Sequence, residues 1–479
     1  MADFTTEDPT QGWGQKVMIC FDGGGIRGYA SLKILEHLMR HIQEQEAKQA
    51  EGDKRTAEAG KAEETGKYPA HYFDYFYGTS TGGLISIMLG RWRMPVADAL
   101  KAYEDICDDV FSSRAKNRFG FLPWVPKWNE RKLEQKMKNK VKEFTPVGEG
   151  PHGEVYPGPD DGPSVFTQMS LPRGLCRVGI VTYTKWGLNG LWTLGLAEGK
   201  PDILRTFECR LDKTAPIDSK FQPSREFLQP SKMSITDACR ATTAAPTYFR
   251  SQKIDGIKLI DGGVGSNNPT RRAWKEVESQ MRSGGRRILG YECPIIVSIG
   301  TGLKKGKGNP ITDTEAVHHR MQNENIQNIP EDHYFRFNVE NPSLHEIKMD
   351  SEDAKKRELL ARMTRLVESE FGTGSENTQN RARMELLARR IVQIRRERRM
   401  GPDQLRWDRF TNCSWYKCPQ QSGQPQKFGN DKDFKHLFWN ETEWDDHLRS
   451  HHPDSRARDE ILYEVIPPHY RNNGVEGPW

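Results

Sequence analysis

The chain is predicted to fold as an α/β layer structure with a mainly parallel sheet. Three observations carry that expectation. Short apolar runs recur through the first 340 residues, at Val17–Phe21 and around 176–183, 203–209, 257–260 and 294–299. Segments with helical spacing of apolar residues lie between them. Several runs pass directly into glycine-rich turns, as strands do when they hand over to helices in layered folds.

The elements follow in order. Residues 1–15 form a polar N-terminal tail. Val17–Phe21 reads as a strand, 22–28 as a tight glycine-rich turn, and Leu32, Leu35, Leu38 and Met39 share one face of the next helix. From about 44 to 67 the composition turns to Ala, Glu, Lys and Gly, which predicts a frayed helix end or mobile insertion. The aromatic run 72–77 leads into 78–83 and an apolar helix over 84–89. Residues 95–110 and 129–144 read as helices and 145–164 as a Pro/Gly loop. Residues 234–243 and 267–281 are predicted as further helices. Past about 345 the texture changes to two charged helical stretches, 352–371 and 376–400, broken at Gly372-Thr-Gly374, then a Trp- and His-rich region. No internal repeat is present. The expected division is a tail (1–15), a main α/β domain (16–340), a charged helical segment (345–400) and a C-terminal region (401–479).

Composition narrows the function classes. Lysine and arginine number 71 against 66 acidic residues, a net +5 that is small for 479 residues and argues against a dedicated nucleic-acid binder. Eight scattered cysteines form no disulfide framework, and the N-terminus lacks an apolar signal core. The longest apolar run, near 84–89, falls far short of the ~20 residues of a membrane span. These features predict a cytoplasmic chain that meets membranes only peripherally.

Three segments carry chemistry. Gly78-Thr-Ser80-Thr-Gly82 fits G-x-S-x-G between an apolar run and a helix, the setting of a nucleophile elbow. Asp22-Gly-Gly-Gly-Ile-Arg-Gly28 fits G-x-G-x-x-G after a strand. A dinucleotide site would need a second strand ending in an acid soon after, and a polar stretch stands there instead. The alternative is an oxyanion hole made from successive backbone N–H groups at Gly23, Gly24, Gly25 and Gly28, with Arg27 beside them. Asp261-Gly262-Gly263 ends a further apolar run and precedes Asn267-Asn-Pro269.

Together, in this order, these motifs resemble the patatin-like phospholipase family. Arg240-Ala-Thr-Thr-Ala-Ala-Pro-Thr-Tyr-Phe249 and Val297-Ser-Ile-Gly-Thr-Gly302 agree with it. The resemblance covers about 16–340 and implies a three-layer α/β/α fold with a Ser–Asp dyad. Ser80 would be the nucleophile and Asp261 the general base, with Gly78 and Gly82 shaping the elbow and Asp22, Gly262 and Gly263 supporting the motifs. The implied activity is that of a calcium-independent phospholipase A or lysophospholipase, with no cofactor required. A free aspartate, with a pKa of ~3.9, is a poor base, so the dyad demands an apolar pocket that raises it. A Ser…Asp…His triad is the competing arrangement, with His318, His319, His333 and His345 as candidates. The competing function is a weakly active or silent binding module on the same fold.

Two further features bear on lipid contact. Residues 119–128 are rich in aromatics, including Trp124 and Trp128, with Arg114, Lys116, Arg118 and Lys127 alongside. They read either as a membrane-docking lid or as buried packing. Residues 376–400 hold eight arginines and three glutamates, a local +5 equal to that of the whole chain. Met384, Leu387, Ile391 and Ile394 lie on one face. This helix either lies on an anionic surface or docks on the catalytic domain. In the tail, Cys413, Cys418, His447 and His451 have zinc-ligand chemistry. The 28-residue gap between the pairs exceeds the ~12 of a two-Cys two-His finger.

Overall fold

A computed structural model describes residues 13–52, 68–110, 126–143, 176–185, 199–207, 233–283, 294–302, 331–348, 350, 356–374 and 377–401, together with Trp407, Phe410 and a few short strands. One mixed sheet holds eight strands: β1 (Val17–Phe21), β2 (Tyr75–Thr79), β3 (Arg177–Lys185), β4 (Gly199–Arg205), β5 (Gln252–Ile254), β6 (Ile257–Asp261), β7 (Ile295–Ile299) and β8 (Tyr334–Phe337). The strands β8, β7, β1, β2 and β3 lie parallel in that order. β4 and β6 run antiparallel to β3, and β5 pairs with β6.

Helices cover both faces, as a parallel sheet requires. They are α1 (Gly28–Gly52), α2 (Thr81–Ser86), α3 (Val96–Val110), α4 (Glu130–Glu143), α5 (Ile235–Thr242), α6 (Thr270–Gln280), α7 (Lys356–Phe371) and α8 (Thr378–Met400). β1 shows why its sequence belongs at the centre. Val17, Ile19 and Phe21 enter the larger core with α1, α2 and α3, while Met18 and Cys20 enter the smaller core under α6, beside Trp274 and Val277. Period-two alternation of an all-apolar run thus fills both layers.

Most elements lie within a few residues of the sequence expectation, but β5 and β8 are strands it did not foresee, and other segments differ or are sharpened. α1 runs through Gly52, in agreement with the helix-end reading of the first part of the polar 44–67 stretch; 53–67 lie outside the described residues. The helix expected over 84–89 is split, because α2 gives way to a wide turn over Ile87–Arg91. There the Trp92 N–H donates to the Ile87 carbonyl at 2.9 Å. Gly90 sits so close to Val178 and Phe76 that a Cβ would approach them to 2.5 and 2.9 Å, and the wider turn accommodates that contact. Within the expected 145–164 loop, Gly148–Glu149 pairs with Val155–Tyr156. In the C-terminal region Ser414–Lys417, Leu437–Phe438 and Tyr463–Val465 form a small antiparallel sheet where irregular chain was expected.

The arginine-rich helix docks on the body. α8 packs along α1, and Met384, Leu387, Ile391 and Ile394 are buried, so its apolar face is unavailable to a membrane. Two of its arginines point inward. Arg398 lies between the rings of Trp13 and Phe410, at 4.8 and 5.4 Å, and bonds Asp74 at 2.9 Å. Arg395 bonds Glu46 at 3.1 Å and lies 5.1 Å from the rings of both Tyr72 and Trp407. Burial alone would push the Asp74 carboxyl up. The charges of Arg398 and Lys16 and the Val17 N–H outweigh it, and the carboxyl sits below its ordinary value. No described helix is long and apolar enough to cross a membrane.

Replacing Arg398 by Met leaves Asp74 buried without its main counter-charge. The expected loss is about 3–5 kcal/mol of unfolding free energy, read from urea denaturation at neutral pH.

Candidate active site

The site forms at the carboxyl ends of the central strands. β1 and β2 are in register with Phe21 beside Gly78, so the loops that follow them emerge side by side. Ser80, the residue after β2, has φ 56° and ψ −125°, a strained conformation for a residue with a side chain. Its surroundings enforce the turn. A Cβ on Gly78 would lie 2.0 Å from the Gly82 carbonyl oxygen, and one on Gly82 would lie 2.3 Å from that of Phe21. The Ser80 N–H donates to the Thr242 hydroxyl at 3.0 Å, which in turn donates to the Val181 carbonyl.

Asp261 ends β6 and meets Ser80 directly. The Ser80 hydroxyl donates to Asp261 Oδ2 at 2.6 Å, and the Gly263 N–H donates to Oδ1 at 2.7 Å. A Cβ on Gly262 would lie 2.6 Å from the Val181 carbonyl, which keeps this turn tight against β3. Burial pushes the Asp261 carboxyl up to about 6, against the opposing pull of the bonds from Ser80 and Gly263. Both residues open onto a pocket of ≈ 250 Å³ with a largely apolar wall that includes Leu84, Ile106, Leu133 and Phe249.

The glycine-rich loop divides into a front and a back. Gly24 and Gly25 line the pocket beside Ser80. Gly25 has φ 57°, open to glycine at little cost. The other residues expected in the hole stand behind it. The Gly23 N–H is taken by the Asn267 carbonyl at 3.1 Å, and Gly28 packs under Tyr103 at the start of α1. Arg27 turns away from Ser80, with its Nε donating to the Gly24 carbonyl at 3.3 Å and its Nη1 reaching His345. Asp22 is buried in a two-pronged ion pair with Arg336, at 3.1 and 2.6 Å, and serves the architecture of the loop.

Sequence reading missed Arg336, Tyr103 and the particular roles of Thr242 and Thr301. Only Arg336 left a local signal, a lone arginine in the aromatic strand Tyr334-Phe-Arg-Phe337, where a buried charge needs a partner. Of the triad candidates, His333 bonds Arg390 at 2.7 Å and His345 bonds Arg27, and neither lines the pocket. His318 and His319 lie outside the described residues, as do Cys413, Cys418, His447 and His451. Of the aromatic segment, 119–125 lie outside them too. Trp128 is fully buried, with its backbone N–H on the Tyr248 carbonyl, so this tryptophan is core and not a membrane anchor.

The family profile described as patatin-like phospholipase matches residues 19–274, just over half of the chain. The chain belongs to the patatin-like phospholipase family. Among its relatives, "Patatin-like protein 1" of Arabidopsis thaliana is 26% identical over 310 residues, covering 60% of this chain and 59% of that protein. "Patatin-like protein 3" of the same plant is 28% identical over 319 residues, 60% of each. "Calcium-independent phospholipase A2-gamma" of Homo sapiens is 25% identical over 349 residues, 69% of this chain and 35% of that protein. The chain thus spans about three fifths of the plant relatives and about a third of the human one. The patatin-like match ends before Thr301, Arg336 and His345, all of which brace its glycine-rich loop.

The raised Asp261 carboxyl carries a stability cost with a definite sign. A carboxyl whose folded value lies above its unfolded 3.8 is penalised when ionised. The cost, up to about 3 kcal/mol for a rise of about 2 units, is present above about pH 6 and fades as pH falls toward 4. Asp261→Asn is therefore expected to melt higher than wild type at pH 7.5, with the difference shrinking at pH 4.5 in thermal scans.

Proposed function

We propose that this protein is a serine lipid acyl hydrolase of the calcium-independent phospholipase A or lysophospholipase type. The observation that carries the reading is the 2.6 Å hydrogen bond from the Ser80 hydroxyl to a buried carboxylate at the mouth of an apolar pocket. Ser80 Oγ attacks the ester carbonyl carbon while its proton passes to Asp261 Oδ2. The carbonyl oxygen takes up the negative charge and faces the Gly24 and Gly25 backbone. The tetrahedral species collapses, and the departing alcohol leaves with the proton held by Asp261. Water then attacks the acyl-Ser80 ester, Asp261 accepts its proton, and the fatty acid is released as Ser80 regains its hydrogen.

A carboxyl near 6 is half-ionised at mildly acidic pH, which suits a group that must both accept and return a proton near neutrality. The pocket wall takes the acyl chain. Among the described residues that line it, the one charged group besides Asp261 is Asp350, which is paired with Lys127. The lipid is proposed to enter from a membrane or micelle surface that the protein visits peripherally. The base and the nucleophile both come from the chain, and the reading calls for no cofactor.

A panel of lysophospholipid, diacylphospholipid and soluble acyl esters tests the reading. Wild type is expected to hydrolyse at least one, and Ser80→Ala and Asp261→Ala to lose at least a thousandfold in kcat. Covalent capture of Ser80 by a fluorophosphonate is expected in wild type; folded wild type left unlabelled favours the binding-module alternative. The pH dependence of kcat/KM is expected to show an acid limb near 6, falling as Asp261 takes up its proton. Activity is expected to persist in EDTA, and an absolute requirement for calcium overturns the mechanism.

A further inference from the structure

The loop Gly23–Gly25 is held by its carbonyl oxygens. The Gly23 carbonyl accepts from Asn267 Nδ2 at 3.1 Å and from the Thr301 hydroxyl at 3.0 Å. The Gly24 carbonyl accepts from the Arg27 N–H at 3.2 Å and from Arg27 Nε at 3.3 Å. The Gly25 carbonyl accepts from the Tyr103 hydroxyl at 2.5 Å. Every described peptide bond is trans. In a trans peptide the C=O and the next N–H point in opposite directions. Pinning the Gly24 oxygen to Arg27, behind the loop, therefore turns the Gly25 N–H toward the front, where Gly25 lines the pocket beside Ser80. The Gly24 N–H donates to the Thr81 hydroxyl at 3.3 Å, so the Gly25 N–H is the donor that matters at the pocket.

Arg27 is itself fixed from behind. Its Nη1 lies 2.6 Å from His345 Nδ1 and 3.2 Å from the His345 carbonyl oxygen. A guanidinium has only donors, so Nδ1 must be the acceptor and the ring proton sits on Nε2. The segment carrying His345 is rigidly seated. Leu344 and Ile347 are buried, Leu344 packs on Gly302, and Arg362 of α7 bonds the Ser343 carbonyl at 3.2 Å. Burial also pushes the Arg27 guanidinium down to about 10, as expected for a cation held by few partners away from water.

We propose that His345 is a positioning residue for oxyanion stabilisation: through Arg27 it fixes the Gly24–Gly25 peptide with its N–H aimed at the carbonyl oxygen of the substrate. It touches no reacting atom. It sits beyond the stretch matched by the family profile, so the C-terminal part of the chain completes the geometry of the site. This role rests on the hydrolase reading above.

The test uses full-length protein and a soluble p-nitrophenyl acyl ester. His345→Ala removes the side-chain acceptor and leaves the backbone carbonyl contact. It is expected to lower kcat about 10- to 100-fold, less than the loss of an entire donor, with KM within about twofold. His345→Gln supplies an amide oxygen as acceptor and is expected to recover most of that loss. Arg27→Lys cannot span Gly24 and His345 together, so it is expected to lower kcat at least as far. Adding His345→Ala to Arg27→Lys is then expected to cost nothing more, a non-additivity that general loosening of the fold does not produce. Melting temperatures within a few degrees of wild type accompany these results. An active wild type matched in kcat by His345→Ala overturns the proposal alone, as does an equal loss in the Arg27→Lys background. A wild type no faster than Ser80→Ala overturns the hydrolase reading and this proposal with it.

Discussion

Everything at the site depends on two strands meeting end to end. β2 runs parallel to β3 and pairs with it as far as Thr79 beside Val181. β6 runs antiparallel to β3 and pairs with it from Asp261 beside Thr182. β4 already occupies the opposite edge of β3 along this stretch, so β2 and β6 must share one edge and converge head-on. Their last residues are therefore neighbours. Ser80 and Asp261, 181 residues apart in the chain, come together because consecutive rungs on β3 hold the two strand ends. A register slip of one residue would face the Asp261 side chain the other way.

Around that junction, close backbone approach leaves little slack. Gly78, Gly82 and Gly262 stand where a single methyl group would strike a carbonyl oxygen, and Gly24 stands where one would strike Thr301. The strain at Ser80 is carried by this packing and by the hydroxyl of Thr242. The charged groups nearby follow a complementary logic. Asp22 is held in a two-pronged ion pair with Arg336, while among the described residues Asp261 receives two hydrogen bonds and no ion pair. Two buried aspartates on one sheet thus differ in chemistry through their partners alone.

The sequence made the periodic and the glycine-bound features legible. Leu32, Leu35, Leu38 and Met39 share one face, and all are buried. The glycines around Ser80 and Asp261 marked tight turns because only glycine fits there. What stayed hidden depends on contacts across long stretches of chain. Nothing local at Arg27 says that its side chain turns backward, since that follows from where residues 342–347 pack. The arginines of α8 looked like a surface charge, yet Arg395 and Arg398 neutralise Glu46 and Asp74 inside the body. The wide turn at Ile87–Arg91 was hidden as well, because its cause is the approach of β3 to Gly90.

The pairing of Asp22 with Arg336 spans 314 residues of chain, and β1 lies between β2 and β7 in the middle of the sheet. At roughly 5–20 residues per second, a ribosome needs roughly 15–60 s to supply the second partner after the first. Until Ile295–Ile299 has been made, Val17–Phe21 is an apolar segment with one edge of its ladder unmet and open to wrong pairing. Delayed closure also means that the glycine-rich loop and Ser80 are both synthesised long before Thr301, Arg336 and His345, the residues that brace the loop. The backbone around Ser80 acquires its full set of braces only after nearly three quarters of the chain, through His345, has been made.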